Sequence, residues 1–293
     1  MSVTGLSSLR GRAGVISQAE TVEQLPSVIN SLEKLELSGL PIWACAPHPT
    51  GVEGMVPREH IETILLAALR DDEFGQPLTP LMVGPAGSGK TTLAKIMAAR
   101  LQRPFYRFQA SDGVQAEDFF TVGRIAPDGT IEYVLQPVAA AAVAGGVVLV
   151  DDCEKVPAKA LSSLIPLLDG ESVLHSLLAG TYLPVHRAFR MLCACNEPAG
   201  LPIWFRSRTI EVRVDYPPVE QVMAMASAHL PEATEPLRSH FLDLWRRRSS
   251  RAEEPLSPRD AVRILRFAGK LQNARIAPGV AVSHAMAAVL PPA

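Results

Sequence analysis

Residues 84–91 read Gly84-Pro85-Ala86-Gly87-Ser88-Gly89-Lys90-Thr91, with Thr92 directly behind, and no other run constrains the fold as strongly. The run matches G-x-x-x-x-G-K-[ST] in full. It follows Leu81-Met82-Val83, which reads as a short buried strand, and opens residues 91–102, where Leu93, Ile96, Met97 and Leu101 share one helical face. Glycines at this junction let backbone N–H groups curl around phosphate oxygens, and the helix N-terminus adds partial positive charge. Lys90 is then expected at the β- and γ-phosphates, and the Thr91 hydroxyl on Mg²⁺. The loop, Gly84 to Thr92, predicts an α/β nucleotide-binding domain.

The rest of the chain agrees with that class. Residues 105–108, 147–150, 191–195 and 210–214 read as further strands, and 147–150 holds no polar residue at all. Continuous apolar strands separated by helical segments indicate a parallel sheet covered on both faces. Residues 122–126 and 130–134 flank Pro127-Asp128-Gly129, the pattern of a β-hairpin projecting from that core. After Tyr216-Pro217-Pro218 the strands stop, and 219–230, 236–248, 257–272 and 280–290 are helical candidates. Three parts are therefore expected: an N-terminal arm or extension over 1–55, an α/β nucleotide-binding domain over 56–216 and a helical lid over 217–293. Within the arm, Val22, Leu25, Val28, Ile29, Leu32 and Leu35 recur at helical spacing, ahead of a Pro- and Gly-rich loop over 39–54. The arm either packs on the main domain or meets a partner. Residues 1–19 carry Arg10 and Arg12, serines and no acid; a flexible start is expected there rather than a targeting segment.

Composition narrows the function classes. The 293 residues hold 28 Lys+Arg against 30 Asp+Glu, a net charge of -2, and 5% aromatics. That balance counts against a nucleic-acid binder, which needs a basic footprint and stacking platforms. The basic patch of Arg246, Arg247, Arg248 and Arg251 suits the end of a helix and solvent. The seven histidines show no metal-ligand spacing. Cys45, Cys153, Cys193 and Cys195 form no CxxC pair, which fits a reducing, cytoplasmic compartment, and no apolar run is long enough to span a membrane.

The strand at 147–150 ends in Asp151-Asp152. Asp151 stands where such a fold holds its metal, and Asp152 where a carboxylate would orient the attacking water. Glutamate is usual at the second position, so Asp152 must reach about 1.5 Å further. Glu154 is a substitute in type, but on a strand exit its side chain is expected to point elsewhere. Both aspartates alternatively cap the following segment.

With these residues in view, the chain resembles an AAA+ ATPase of the MoxR type, the clade that includes carboxylase and nitric-oxide reductase activators. The resemblance covers about residues 52–290 and follows family order. Ala116-Glu117-Asp118 with Gly123-Arg124 is similar to the family's "aeDLlGr", and Gln136-Pro137-Val138 before Ala144-Gly145-Gly146 to "GPLveAlreGG". His186-Arg187-Ala188-Phe189-Arg190-Met191 leading to Asn196 resembles "hpdFRvvAtqNP", residues 201–208 resemble "LspAllDRF", and Ser257-Pro258-Arg259 resembles "SPRa". The resemblance implies Asn196 as sensor 1, Arg208 as arginine finger, with Arg206 its rival, and Arg259 as sensor 2. Each has a physical reason. Asn196 ends the strand beside that of Asp151. Arg208 can reach a neighbour's nucleotide across a ring interface and stabilise the transition state. Arg259 sits in a helix's first turn, where an anion would offset the unfavourable dipole. The family's inserted hairpin would fall at 174–185, where Leu177, Leu178, Tyr182 and Leu183 line a pore or pack on the core.

What the resemblance implies is an ATPase using ATP and Mg²⁺ in a homo-oligomeric ring, expected as a hexamer. It remodels or activates a client, often one with a von Willebrand factor A domain. Two rival readings stand beside it: a nucleotide-gated scaffold of weak hydrolysis, motivated by Asp152, and a nucleic-acid-remodelling motor.

Overall fold

The computed structural model describes residues 32–37, 40–51, 56–73, 75–249 and 257–290. Their contacts divide into two compact units. The first takes the described residues of Met1–Gly51, His60–Val83 and Thr91–Val212; the second takes those of Val52–Glu59, Gly84–Lys90 and Arg213–Ala293.

The first unit is built on a five-stranded sheet. Its strands are β3 (Thr79–Val83), β4 (Phe105–Gln109), β7 (Val147–Asp151), β10 (Arg190–Cys195) and β11 (Thr209–Arg213). They lie in the order β11-β3-β10-β7-β4, with parallel pairing at β3–β10, β10–β7 and β7–β4. Every residue of β3, β7 and β10 is buried, which is why these runs carry no alternation. Helices α1 (Glu59–Ala68), α2 (Lys90–Arg100) and α3 (Pro137–Ala144) lie between the strands, with the short helices α4 (Ala158–Leu161), α5 (Ile165–Leu168) and α6 (Ile203–Arg206) after them. All five strands predicted from the apolar runs are present.

The predicted hairpin is also present, as β5 (Thr121–Ile125) antiparallel to β6 (Ile131–Leu135). The Asp128 carboxylate accepts from the Thr130 amide at 3.0 Å and its hydroxyl at 2.6 Å, closing the turn. A second hairpin joins β8 (Val173–Ser176) to β9 (Thr181–Pro184). There Leu174 and Leu183 are buried, whereas Leu177, Leu178 and Tyr182 are exposed, so the loop's apolar residues split between core and solvent.

The arm departs from expectation. Leu32 and Leu35, assigned above to a helix, lie in strand β1 (Leu32–Leu37), and part of the expected loop is strand β2 (Leu40–Cys45). β1 and β2 pair antiparallel, and β2 runs parallel to β6, giving a four-stranded sheet β1-β2-β6-β5. A long-range pairing partner overrides local periodicity here. Ile42 enters the main core with no exposed surface. The remainder of that expected helix, and the start at 1–19, fall outside the described residues.

The described residues of the second unit form four longer helices: α7 (Val219–His229), α8 (Glu235–Ser249), α9 (Pro258–Asn273) and α10 (Pro278–Val289). They enclose a separate core with Phe241 and Trp245 edge to face at 5.0 Å, alongside Val222, Ile264 and Ala285. Each such large side chain contributes roughly 1.5–3 kcal/mol on burial. Helix α9 starts at Ser257, whose hydroxyl accepts from the Asp260 amide at 3.1 Å, with Pro258 at the first helical position. Arg259 therefore does occupy the first turn. Arg246, Arg247 and Arg248 sit in the last turn of α8, where cations suit the dipole; Arg251 lies outside the described residues. Among the described residues, no helix is long and apolar enough to cross a membrane.

Candidate nucleotide site

The phosphate loop belongs to the second unit, and its own residues brace it. Lys90 is buried, and its ammonium donates to the Gly84 carbonyl at 2.6 Å and the Pro85 carbonyl at 3.1 Å. Arg58 donates to the Ser88 carbonyl at 3.1 Å and the Asp215 carbonyl at 2.8 Å. The Tyr216 hydroxyl donates to the Ala86 carbonyl at 2.9 Å. Burial lowers the Arg58 pKa, with Asp215 opposing that shift. Neither Arg58 nor Tyr216 carries a motif signal, and sequence reasoning gave them no site role.

Two glycines of the loop are required by close approach. A Cβ on Gly84 would lie 2.1 Å from the Val214 carbonyl oxygen. A Cβ on Gly87, whose φ is +81°, would lie 2.9 Å from Ser257 Oγ and 3.1 Å from Arg259 Cβ. The loop and the Ser257-Pro258-Arg259 motif, 170 residues apart in the chain at Gly87 and Ser257, are thus neighbours within this unit.

The acidic residues belong to the first unit. Asp151 is buried at the end of β7, and its Oδ2 accepts from Thr91 Oγ1 at 2.9 Å. The same oxygen accepts from Arg107 through Nε at 3.0 Å and Nη2 at 2.7 Å. Arg107 also donates to Gln109 Oε1, and Gln109 Nε2 donates to Asp152 Oδ2 at 2.9 Å. Lys155 Nζ reaches that oxygen of Asp152 at 2.8 Å. One polar chain therefore runs from Asp151 through Arg107 and Gln109 to Asp152. Arg107 and Gln109 were missed because they sit in an ordinary strand pattern, and only the β4–β7 register brings them to the aspartates.

Asp152 adopts a left-handed φ of 57° ahead of a 3-10 turn over Cys153–Lys155, and its side chain makes no capping bond there. Within that turn Glu154 does not point away. Its Oε1 accepts from the Asn196 amide nitrogen at 2.9 Å and from Asn196 Nδ2 at 3.1 Å. Arg208 donates to Asp169 Oδ1 at 2.7 Å and to the Trp204 carbonyl at 3.0 Å; Arg206 pairs with Glu211 at 3.6 Å. Cys153, Cys193 and Cys195 are buried in the core as free thiols, and the hydrogen bond with Cys193, with burial adding to it, holds the Cys153 thiol well above its usual pKa.

The residues fit a hard divalent cation. The Thr91 hydroxyl and the Asp151 carboxylate supply oxygen donors in direct contact, as Mg²⁺ prefers, and Asp151 Oδ1 takes part in none of the three bonds above. Among the described residues no cluster of three His, Cys, Asp or Glu side chains suits a softer metal.

Comparison with known proteins agrees with this geometry. Residues 80–209 match the model of the AAA domain, dynein-related subfamily. The chain is 29% identical over 149 residues to the denitrification regulatory protein NirQ of Pseudomonas aeruginosa, covering 49% of this chain and 57% of that protein. It is 28% identical over 139 residues to the uncharacterized protein YojN of Bacillus subtilis, covering 46% and 45%. The matches thus span about half the length of these relatives. Among solved structures, the Thermotoga maritima RuvB Holliday junction branch migration motor superposes with a TM-score of 0.54 at 18% identity, over 79% of this chain and 69% of that one. At that identity the likeness is one of fold. Residues 80–209, the stretch that holds the phosphate-binding loop and Asp151, are thus similar to the AAA domain, dynein-related subfamily.

Proposed function

We propose that this chain binds ATP with Mg²⁺ and hydrolyses it in a homo-oligomeric ring, a hexamer by resemblance to MoxR-type ATPases, to remodel or activate a partner protein. The observation that carries the reading is the Thr91–Asp151 contact at 2.9 Å, directly after a complete phosphate-binding loop. In this reading the backbone amides of Gly84 to Thr92 hold the phosphates, and Lys90 exchanges its carbonyl partners for phosphate oxygens. Thr91 and Asp151 hold the cation, which neutralises charge developing on the phosphates. Asn196 orients the attacking water, Arg259 contacts the nucleotide, and Arg208 reaches the nucleotide of a neighbouring subunit. The similarity to a protein named as a denitrification regulator supports a client protein as the object of the work. Four free cysteines suit a reducing compartment, and the cytoplasm is the proposed location.

One observation favours a second reading, the nucleotide-gated scaffold. Asp152 Oδ2 is taken by Lys155 and Gln109, and a carboxylate so engaged is a poor base. Steady-state ATP turnover decides between the two, comparing wild type with Lys90→Ala and Asp152→Asn while light scattering reports ring size. Turnover lost in Lys90→Ala with rings retained supports the ATPase. Wild-type rings that bind ATP without turnover support the scaffold.

A further inference from the structure

We propose that Glu154 is the positioning residue for Asn196, setting its amide for ATP hydrolysis; this rests on the hydrolytic reading above. The two residues come from different strand exits. Glu154 lies in the turn after β7 and Asn196 follows β10, and β7 and β10 are adjacent and parallel, with Cys193 opposite Val150. Their contact therefore bridges the ends of two neighbouring strands that carry site residues.

The chemistry of the contact is directional. A carboxylate oxygen only accepts, so the end of the Asn196 side chain that meets it must be the NH₂ group. Backbone N–H and side-chain Nδ2 converge on the single oxygen Oε1, at 2.9 and 3.1 Å. Two donors from one residue held by one acceptor fix both the backbone and the side-chain torsions of Asn196. The amide is then turned with Oδ1 as the end opposite Glu154, the polarity that lets it accept a hydrogen bond from an oriented water. Asn196 itself is exposed, and an exposed side chain gains definition from each such bond.

A second observation sets Glu154 apart from an ordinary surface acid. Its other oxygen, Oε2, is buried and has no hydrogen-bond partner among the described residues. Buried polar groups left in that condition are rare in native structures, and a catalytic role or a water or ion partner is among the reasons they persist. Asp152, by contrast, commits Oδ2 to Lys155 and Gln109. The left-handed turn at Asp152 sends the two carboxylates to different partners, and Glu154 is the one joined to Asn196. The shortened residue at 152 is thus accompanied by a full-length glutamate two positions on.

The test measures ATP turnover of the full chain as wild type, Glu154→Ala, Glu154→Gln, Asn196→Ala, Glu154→Ala/Asn196→Ala and Lys90→Ala. Glu154→Ala is expected to lower kcat about 10- to 100-fold, the scale of a misplaced positioning group, with KM and nucleotide affinity unchanged. The double variant is expected to be no slower than Asn196→Ala alone, because Glu154 acts through that residue. Glu154→Gln keeps an acceptor oxygen and is expected to recover part of the loss; it also serves if the alanine variant does not fold. Wild-type kcat in both Glu154 variants overturns the assignment, as do multiplicative losses in the double variant or a loss confined to nucleotide affinity or melting temperature. Wild type no faster than Lys90→Ala overturns the hydrolytic reading and this role with it, an outcome visible before any Glu154 variant is made.

Discussion

The Arg107 guanidinium closes on Asp151 Oδ2 through two nitrogens, at 3.0 and 2.7 Å, on a carboxylate whose side chain is only 6% exposed. Arg107→Ala leaves that buried carboxylate with Thr91 as its side-chain hydrogen-bond partner among the described residues. Arg107 is itself 38% exposed, so water and salt screen part of the loss. A destabilisation of about 1–2 kcal/mol is expected, measured as a shift of the urea midpoint at unchanged slope. Arg107→Lys restores a point charge without the fork and is expected to recover only part. An unchanged midpoint in Arg107→Ala would show the pair to be energetically silent.

Gly84 offers a steric prediction. An added methyl would sit 2.1 Å from the Val214 carbonyl oxygen, and a backbone oxygen cannot move aside cheaply. Gly84→Ala is expected to destabilise by about 3 kcal/mol, read by thermal melting. Gly113→Ala, where nothing lies within 4 Å of the added carbon, is the control and should melt as wild type.

The finger assignment separates two arginines by kinetics. Arg208 is 33% exposed beside Asp169, and an exposed pair of this kind is worth at most about 1 kcal/mol, so it opens readily toward a neighbour. Arg208→Ala should lower kcat about a thousandfold while ATP affinity holds, whereas Arg206→Ala should stay within a few fold. The reverse ranking would move the finger to Arg206.

His48 gives the protein a pH dependence. Its pKa is lowered by burial, with Lys95 and Arg107 adding repulsion, and its backbone N–H donates to the Phe105 carbonyl at 2.7 Å. The unfolded chain binds the proton first as pH falls through about 6.5, so stability is fully present above that value and declines below it. Melting temperature measured from pH 7.5 to 5.5 should fall, and His48→Asn should flatten the slope. A curve of identical slope in the variant would assign the effect to other groups.

Much of this was legible beforehand because the signals were local. An unbroken apolar run such as residues 147–150 has nowhere to go but the middle of a sheet, and Pro127-Asp128-Gly129 can hardly be anything but a turn. The strands at 32–45 were not legible. Leu32 and Leu35 fit a helical period, and what makes them a strand is β6, nearly a hundred residues later in the chain. The site divided along the same line. The loop and Asp151 carry fixed spacing, whereas Arg107, Gln109, Arg58 and Tyr216 reach their partners only through register or folding across the chain. Glu154 is not legible as a partner of Asn196, because the left-handed backbone at Asp152 that redirects it leaves no trace in composition or period.

The pairing of β2 with β6 gives the N-terminal segment a protective duty. Strand edges invite foreign strands, and β2 occupies the flank of β6 from Tyr133 to Leu135 that would otherwise offer open amides and carbonyls. A boundary drawn at residue 55 would cut through a shared sheet. Removing the segment would strip Ile42 from the core and move the edge of the sheet from β1 to β6.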